Sequence, residues 1–132
     1  MEKMKAITVM SALAQPTRLA VFSLLARAGD EGMTAGVLAE KTGTPSNTMS
    51  SHLTILSQAG LTTSRRAGRN IFYRAVPDTI RHLTVFLIKD CCAGCAEVCC
   101  QLQDDLNECQ RGRRGDRVAT EGEDASGKTD PC

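Results

Sequence analysis

Hydrophobic positions recur at helical spacing along most of this chain, and Pro and Gly mark the breaks between runs. Met4, Ile7, Met10 and Leu13 form one stripe over residues 2–13, a helix too short to be stable unless it docks. In the ALAQPTRLAVFSLLARAG that follows, Pro16 suits a first helical turn and Gly29 a stop, with Leu19, Phe22, Leu25 and Ala26 facing inward. A third helix is predicted from Thr34 to Gly43, with Met33 and Leu38 placed for a hydrophobic staple. A fourth begins at Thr44 and Pro45 and runs to about Ala59, before Gly60. Two short helices joined by so tight a turn predict a helix-turn-helix.

Residues 61–64 and 70–76 are rich in β-formers and flank RRAGR, whose Gly68 can take a positive φ; this predicts a hairpin. A fifth helix is predicted after Pro77, with Asp78 at its cap and Ile80, Leu83, Phe86 and Leu87 inward, running through the cysteines to about Cys109. From Gln110 the chain turns to charge, Gly and Ser, with Val118 its one larger aliphatic, so residues 110–132 read as a disordered polar tail. The expected architecture is mainly α with a small β-hairpin wing, in one domain over residues 1–109. The aromatic share of 3% against 42% hydrophobic requires an aliphatic core, which suits packed helices.

On the fourth helix Met49, Leu53 and Leu56 share the inward face, and Asn47, Ser50, Ser51, Thr54 and Gln58 the outward one, with Ser46 at the leading end. Short, polar, uncharged side chains can approach base edges without clash or repulsion, whereas a merely solvated face would carry Glu and Lys. His52 falls beside the inward stripe and reads as a packed histidine. Arg65, Arg66 and Arg69 come to the hairpin tip, where phosphates or a minor groove could be met. The net charge of +1 hides this local character: from Lys41 to Pro77 there is no Asp or Glu. That stretch has the electrostatic footprint of a nucleic-acid surface.

The cysteines add a second chemistry. Five of the seven lie in CCAGCAEVCC, residues 91–100. On a continuous helix Cys92, Cys95 and Cys99 fall within about 60° of one another, with Cys91 beside them and Cys100 pointing elsewhere. Thiols so gathered select soft, thiophilic ions. Late clustering and an odd count oppose a disulfide scaffold. Lys3, Lys5 and AITVMSALA mimic a signal peptide, but Thr8 and Ser11 interrupt the apolar run. The expectation is a cytoplasmic chain with reduced thiols and no membrane span.

ALAQPTRLAVFSLL and SNTMSSHLTILSQAGLTTSRRAGRNIFYRA closely resemble the ArsR/SmtB family of metal-responsive winged-helix repressors, over roughly residues 6–100. The resemblance implies a homodimer formed by the first and last helices, bound to an inverted-repeat operator and released when metal binds. The apolar stripes of helices one and five, more than a small domain can cover, agree with it. MTAGVLAEKTG at residues 33–43 has no cysteine, so the Cys-x-Cys site of many arsenite sensors in the family is absent. His82 alone is a poor match to the zinc-sensing members. The family's subgroup with a vicinal cysteine pair at the end of the last helix is the nearer one. It implies Cys91, Cys92 and Cys99 as ligands of trivalent arsenic or antimony, with Cys95 the alternative third sulfur. No prosthetic group is implied.

Two rivals stand beside this reading. Cys92 to Cys95 is formally a CxxC, but it follows a helix where an oxidoreductase would have a strand, and an enzyme is not expected. The closer rival keeps the DNA-binding domain and makes the thiols a redox switch, or a zinc or iron–sulfur site.

Overall fold

The computed structural model describes residues 1–91 and 93–114. It divides into two compact units, Met1–Phe86 and the chain from Leu87 onward. The first unit runs α1 (Lys3–Leu13), α2 (Pro16–Ala28), a 3-10 turn (Gly29–Glu31), β1 (Met33–Thr34), α3 (Ala35–Thr42), α4 (Ser46–Gln58), β2 (Thr62–Ala67), β3 (Asn70–Ala75) and α5 (Pro77–Phe86). The second holds a π-helical turn (Leu87–Cys91) and α6 (Ala96–Arg114). Residues 110–114 of the expected tail continue α6, and 115–132 lie outside the described residues.

Local chemistry sets the helix ends. The Gln15 side chain accepts the Arg18 amide ahead of Pro16, and the Thr34 hydroxyl accepts the Val37 amide, each satisfying an amide that has no partner within its helix. Gly43 ends α3 in the left-handed region. Asp78 lies inside the first turn of α5 and accepts from Arg81 at 2.9 Å, so it does not cap the helix from outside. That guanidinium holds the Asp78 carboxyl below its usual range. The pair is exposed and contributes little to stability.

The core is aliphatic, as composition requires. Val21, Leu25, Leu38, Met49, Leu53, Leu56 and Leu61 are fully or almost fully buried. One predicted stripe shifts. On α2, Val21 and Leu25 are the buried residues, while Leu19 is 50% exposed. On α1, Ala6, Val9 and Ala12 face inward, while Met4, Ile7 and Met10 are 64%, 45% and 38% exposed. The small side chains let α1 lie close against α2, α4 and α5 and leave its large ones outside.

The sheet has three antiparallel strands in the order β1–β3–β2, one more than the predicted hairpin. Met33 and Thr34 pair with Tyr73 and Phe72; two residues are too few to show strand periodicity. Gly32 makes the pairing feasible. Its φ of 70° and ψ of −167° lie in a region that essentially only glycine occupies, and a Cβ there would run into the Tyr73 carbonyl oxygen. Gly32→Ala is expected to cost about 2–4 kcal/mol, from backbone strain and forced displacement together. Urea unfolding checks this, and an unchanged midpoint would refute it.

Candidate nucleic-acid interface and thiol site

Helix α4 turns its apolar ridge inward and its polar face out. Met49, Leu53 and Leu56 are at most 1% exposed, while Ser46, Asn47, Ser50, Ser51 and Thr54 are all exposed. Thr54 Oγ1 donates to the Ser50 carbonyl at 3.0 Å and Ser51 Oγ to the Asn47 carbonyl at 3.5 Å. Their lone pairs face solvent, ready to accept from a base amino group. Thr48 and Ile55, which the sequence reading did not assign to this face, are exposed as well. At about 100° per residue they fall on the far side of Ser51 from Ser50, and methyl groups there suit a thymine methyl. Counting helical angle for every residue of the helix, and not only the polar ones, would have found them.

The orientation of α4 is fixed from α2. Arg18 Nε donates to the Ala12 carbonyl at 2.6 Å, and its NH1 group lies 3.4 Å from His52 Nδ1. A guanidinium can only donate, so Nδ1 accepts. His52 is thus the half-buried packed residue that its helical angle implies.

The wing departs from expectation. Strand β2 extends to Ala67, so Arg65 and Arg66 lie in the strand, and only Arg69 shares the turn with Gly68 (φ 67°). Arg65 pairs across the sheet with Phe72 and Arg66 with Ile71, which points the two arginines to opposite faces. The Arg65 guanidinium sits 5.1 Å from the Phe72 ring centroid and donates to the Glu31 carbonyl at 3.2 Å. Arg74 pairs with Asp30 at 3.4 Å. Arg66 and Arg69 make no hydrogen bond or ion pair among the described residues.

The single helix predicted from Pro77 to about Cys109 is in fact two. After the π turn, Ala93 and Gly94 have φ of 54° and 64°, and the Gly94 amide reaches back to the Ile88 carbonyl at 2.8 Å. Positive φ cannot continue a right-handed helix, and the π turn has already widened the ladder. The continuous helix on which a shared face of Cys92, Cys95 and Cys99 was inferred is therefore interrupted ahead of Cys95. Cys95 instead leads α6, and the Cys99 amide donates to its carbonyl at 3.1 Å. Cys95, Cys99 and Cys109 are exposed free thiols, whereas Cys100 is disulfide-bonded. Cys92 and the side chain of Cys91 lie outside the described residues. Among the described residues no three His, Cys, Asp or Glu side chains come close enough to hold a metal. His82 is exposed, its Nε2 3.7 Å from Asp78.

Comparison with known proteins agrees with this geometry. A family model described as a helix-turn-helix domain matches residues 13–65. The HTH-type transcriptional regulator KmtR of Mycobacterium tuberculosis is 38% identical over 79 residues, which are 60% of this chain and 58% of KmtR; the match thus spans little more than half of that relative. The homodimeric winged helix-turn-helix domain of Mb0332 from Mycobacterium bovis, a possible ArsR-family transcriptional regulator, superposes with a TM-score of 0.54. It is 30% identical, over 64% of this chain and 76% of that one. A crystal structure described as a possible transcriptional regulator for arsenical resistance is 31% identical over 61% of this chain and 79% of its own, with a TM-score of 0.53. No single helix among the described residues is long and apolar enough to cross a membrane. With an exposed polar recognition face on α4, a basic wing beside it and these relatives, the chain belongs to the ArsR family of winged helix-turn-helix transcriptional regulators.

Proposed function

We propose that this regulator is an arsenic-responsive repressor that binds an inverted-repeat operator as a homodimer and leaves it when trivalent arsenic or antimony is taken by cysteine sulfurs. The observation that carries the DNA half is the uncharged, exposed face of α4 beside Arg66 and Arg69, which have no partner among the described residues. In this reading α4 enters the major groove and the wing arginines meet phosphate. Arg65 acts at one remove, holding the wing against Phe72 and Glu31.

The exposed stripe of Met4, Ile7 and Met10 on α1, with Val85 on α5, supports a symmetric dimer. Two-fold symmetry then sets the recognition helices about 34–36 Å apart, one turn of duplex. Leu83, in the apolar stripe of α5 expected to meet the partner, is only 8% exposed and belongs to the protomer's own core. Ile7→Asp is accordingly expected to give monomers with little operator affinity; a sedimentation profile unchanged at micromolar concentration would count against this interface.

For the inducer, the reading takes Cys91, Cys92 and Cys99 as ligands, with Cys95 the alternative. It is supported by the similarity to a protein described as a possible transcriptional regulator for arsenical resistance and by five cysteines within ten residues. The break at Ala93 and Gly94 supports it further. On a continuous helix Cys92 and Cys99 would stand about 10 Å apart along the axis, too far to share one arsenic atom. The break removes that constraint. Ligands drawn together across it would pull on the end of α5, and with it on the spacing of the two recognition helices. By linkage, operator DNA then weakens arsenite binding by the factor by which arsenite weakens DNA binding.

One observation favours a second reading, a thiol redox switch: Cys100 is disulfide-bonded. Operator release by arsenite under full reduction supports the first reading, and release by a mild oxidant alone the second. Cys91→Ser and Cys92→Ser are each expected to abolish arsenite-driven release while sparing operator binding, and Cys99→Ser to do the same. A full response in Cys92→Ser would sink the site. Arg66→Ala and Arg69→Ala should weaken binding to all duplexes alike, each lowering the salt slope by about 1. Ser50→Ala and Ser51→Ala should instead change which operators are preferred. Unchanged affinity in all four at moderate salt would refute the interface.

A further inference from the structure

Thr48 and Ile55 give an apolar edge to the otherwise polar outward face of α4. Two helical turns apart, they point within about 20° of each other, and both are exposed, Ile55 by 39%. Their edge of the helix is the one nearer His52, whose ring meets Arg18 from α2. The other edge carries Ser50 and Ser57, and a hydrogen bond of 3.0 Å between the Ser57 and Thr62 hydroxyls ties it to β2. The face is thus asymmetric, with serine hydroxyls toward the wing and aliphatic carbon away from it. A single exposed aliphatic side chain is ordinary on a protein surface. Here two methyl-bearing side chains share one edge of a helix that has no Asp, Glu, Lys or Arg. The core does not call for them either, since Met49, Leu53 and Leu56 already close it at no more than 1% exposure each.

From this asymmetry we infer that the edge reads thymine, with the Thr48 methyl and the Ile55 side chain each packed on the C5-methyl of a thymine in the major groove. The inference rests on the proposed reading of α4 as the recognition helix and goes beyond it by assigning a base to each residue. The C5-methyl is the apolar group that a T·A pair shows in the major groove. A cytosine in its place presents an amino group, which an aliphatic side chain covers without pairing. Thr48 and Ile55 stand about 10 Å apart along the helix axis. They therefore meet different bases, roughly two or three base pairs apart in one half-site.

The test uses the full chain and the duplex that it enriches from a random-sequence library. That duplex is remade with deoxyuridine at each thymine in turn, which removes one methyl and leaves every hydrogen-bonding group in place. At one thymine for each of the two residues, the change is expected to weaken binding about fourfold, the worth of one methyl kept from water. Thr48→Ser, which keeps the hydroxyl, should abolish the penalty at one of these positions, and Ile55→Ala the penalty at the other. Thermal unfolding checks that both variants are folded. The inference is overturned if an enriched operator tolerates deoxyuridine throughout. It is overturned equally if the penalties persist undiminished in both variants, which would mark them as effects of duplex shape. A library from which no sequence is enriched overturns the operator reading and this inference together, whereas the first two outcomes leave the operator reading standing.

Discussion

Burial of Met49, Leu53 and Leu56 along one side of α4 is the constraint from which the DNA-facing surface follows. Each is almost completely removed from water, which stabilises the fold by about 1.5–3 kcal/mol per side chain. Because α4 packs against α1, α2, α3 and β2 at once, the ridge has one way to seat, and the rotation of the helix about its axis is set. The opposite face is then compelled outward. Arg18 adds direction to what packing fixes in rotation, joining the end of α1 to His52 on α4 through one guanidinium. The outer face of α4 is set by the packing behind it, because it is the back of the core.

Electrostatics in space differs from charge along the sequence. The acid-free run from Lys41 to Pro77 suggests a uniformly basic surface, yet Arg74 is paired with Asp30 and Arg65 with the Glu31 carbonyl, both from the 3-10 turn after α2. These contacts spend two of the basic side chains on anchoring the wing. A cation over an aromatic face contributes about 0.5–1 kcal/mol at an exposed site, enough to bias a small hairpin but not to hold it alone. The short β1 strand and the glycine that brings it against Tyr73 supply the rest. Arg66, on the opposite face of β2, and Arg69, in the turn, have no partner among the described residues.

A different constraint governs the stretch after Phe86. Here the helical ladder loosens into a π turn and stops at two consecutive residues with positive φ. The break places Cys95 at the head of a new helix.

The sequence by itself determined the helix-turn-helix, the hairpin and the face that α4 presents. Those follow from local signals: Pro and Gly at element ends, and a three-residue ridge at helical spacing that no other register could bury. The candidate DNA-facing residues were legible for the same reason, since one period fixes both sides of a helix. Residues whose fate depends on neighbours distant in sequence were not. Met4, Ile7 and Met10 read as a stripe that must dock, but spacing did not show that the smaller Ala6, Val9 and Ala12 are the ones that close packing against three other helices admits. Arg65 read as a tip residue, yet the register with Phe72 and the reach to Glu31 put it elsewhere. The cysteine helix was read through Ala93 and Gly94 because helical periodicity records which faces are apolar and says nothing of φ at a single residue. Only the tertiary structure decided those, since a backbone reversal at Ala93, a strand of two residues and an arginine over a ring each depend on what lies across from them.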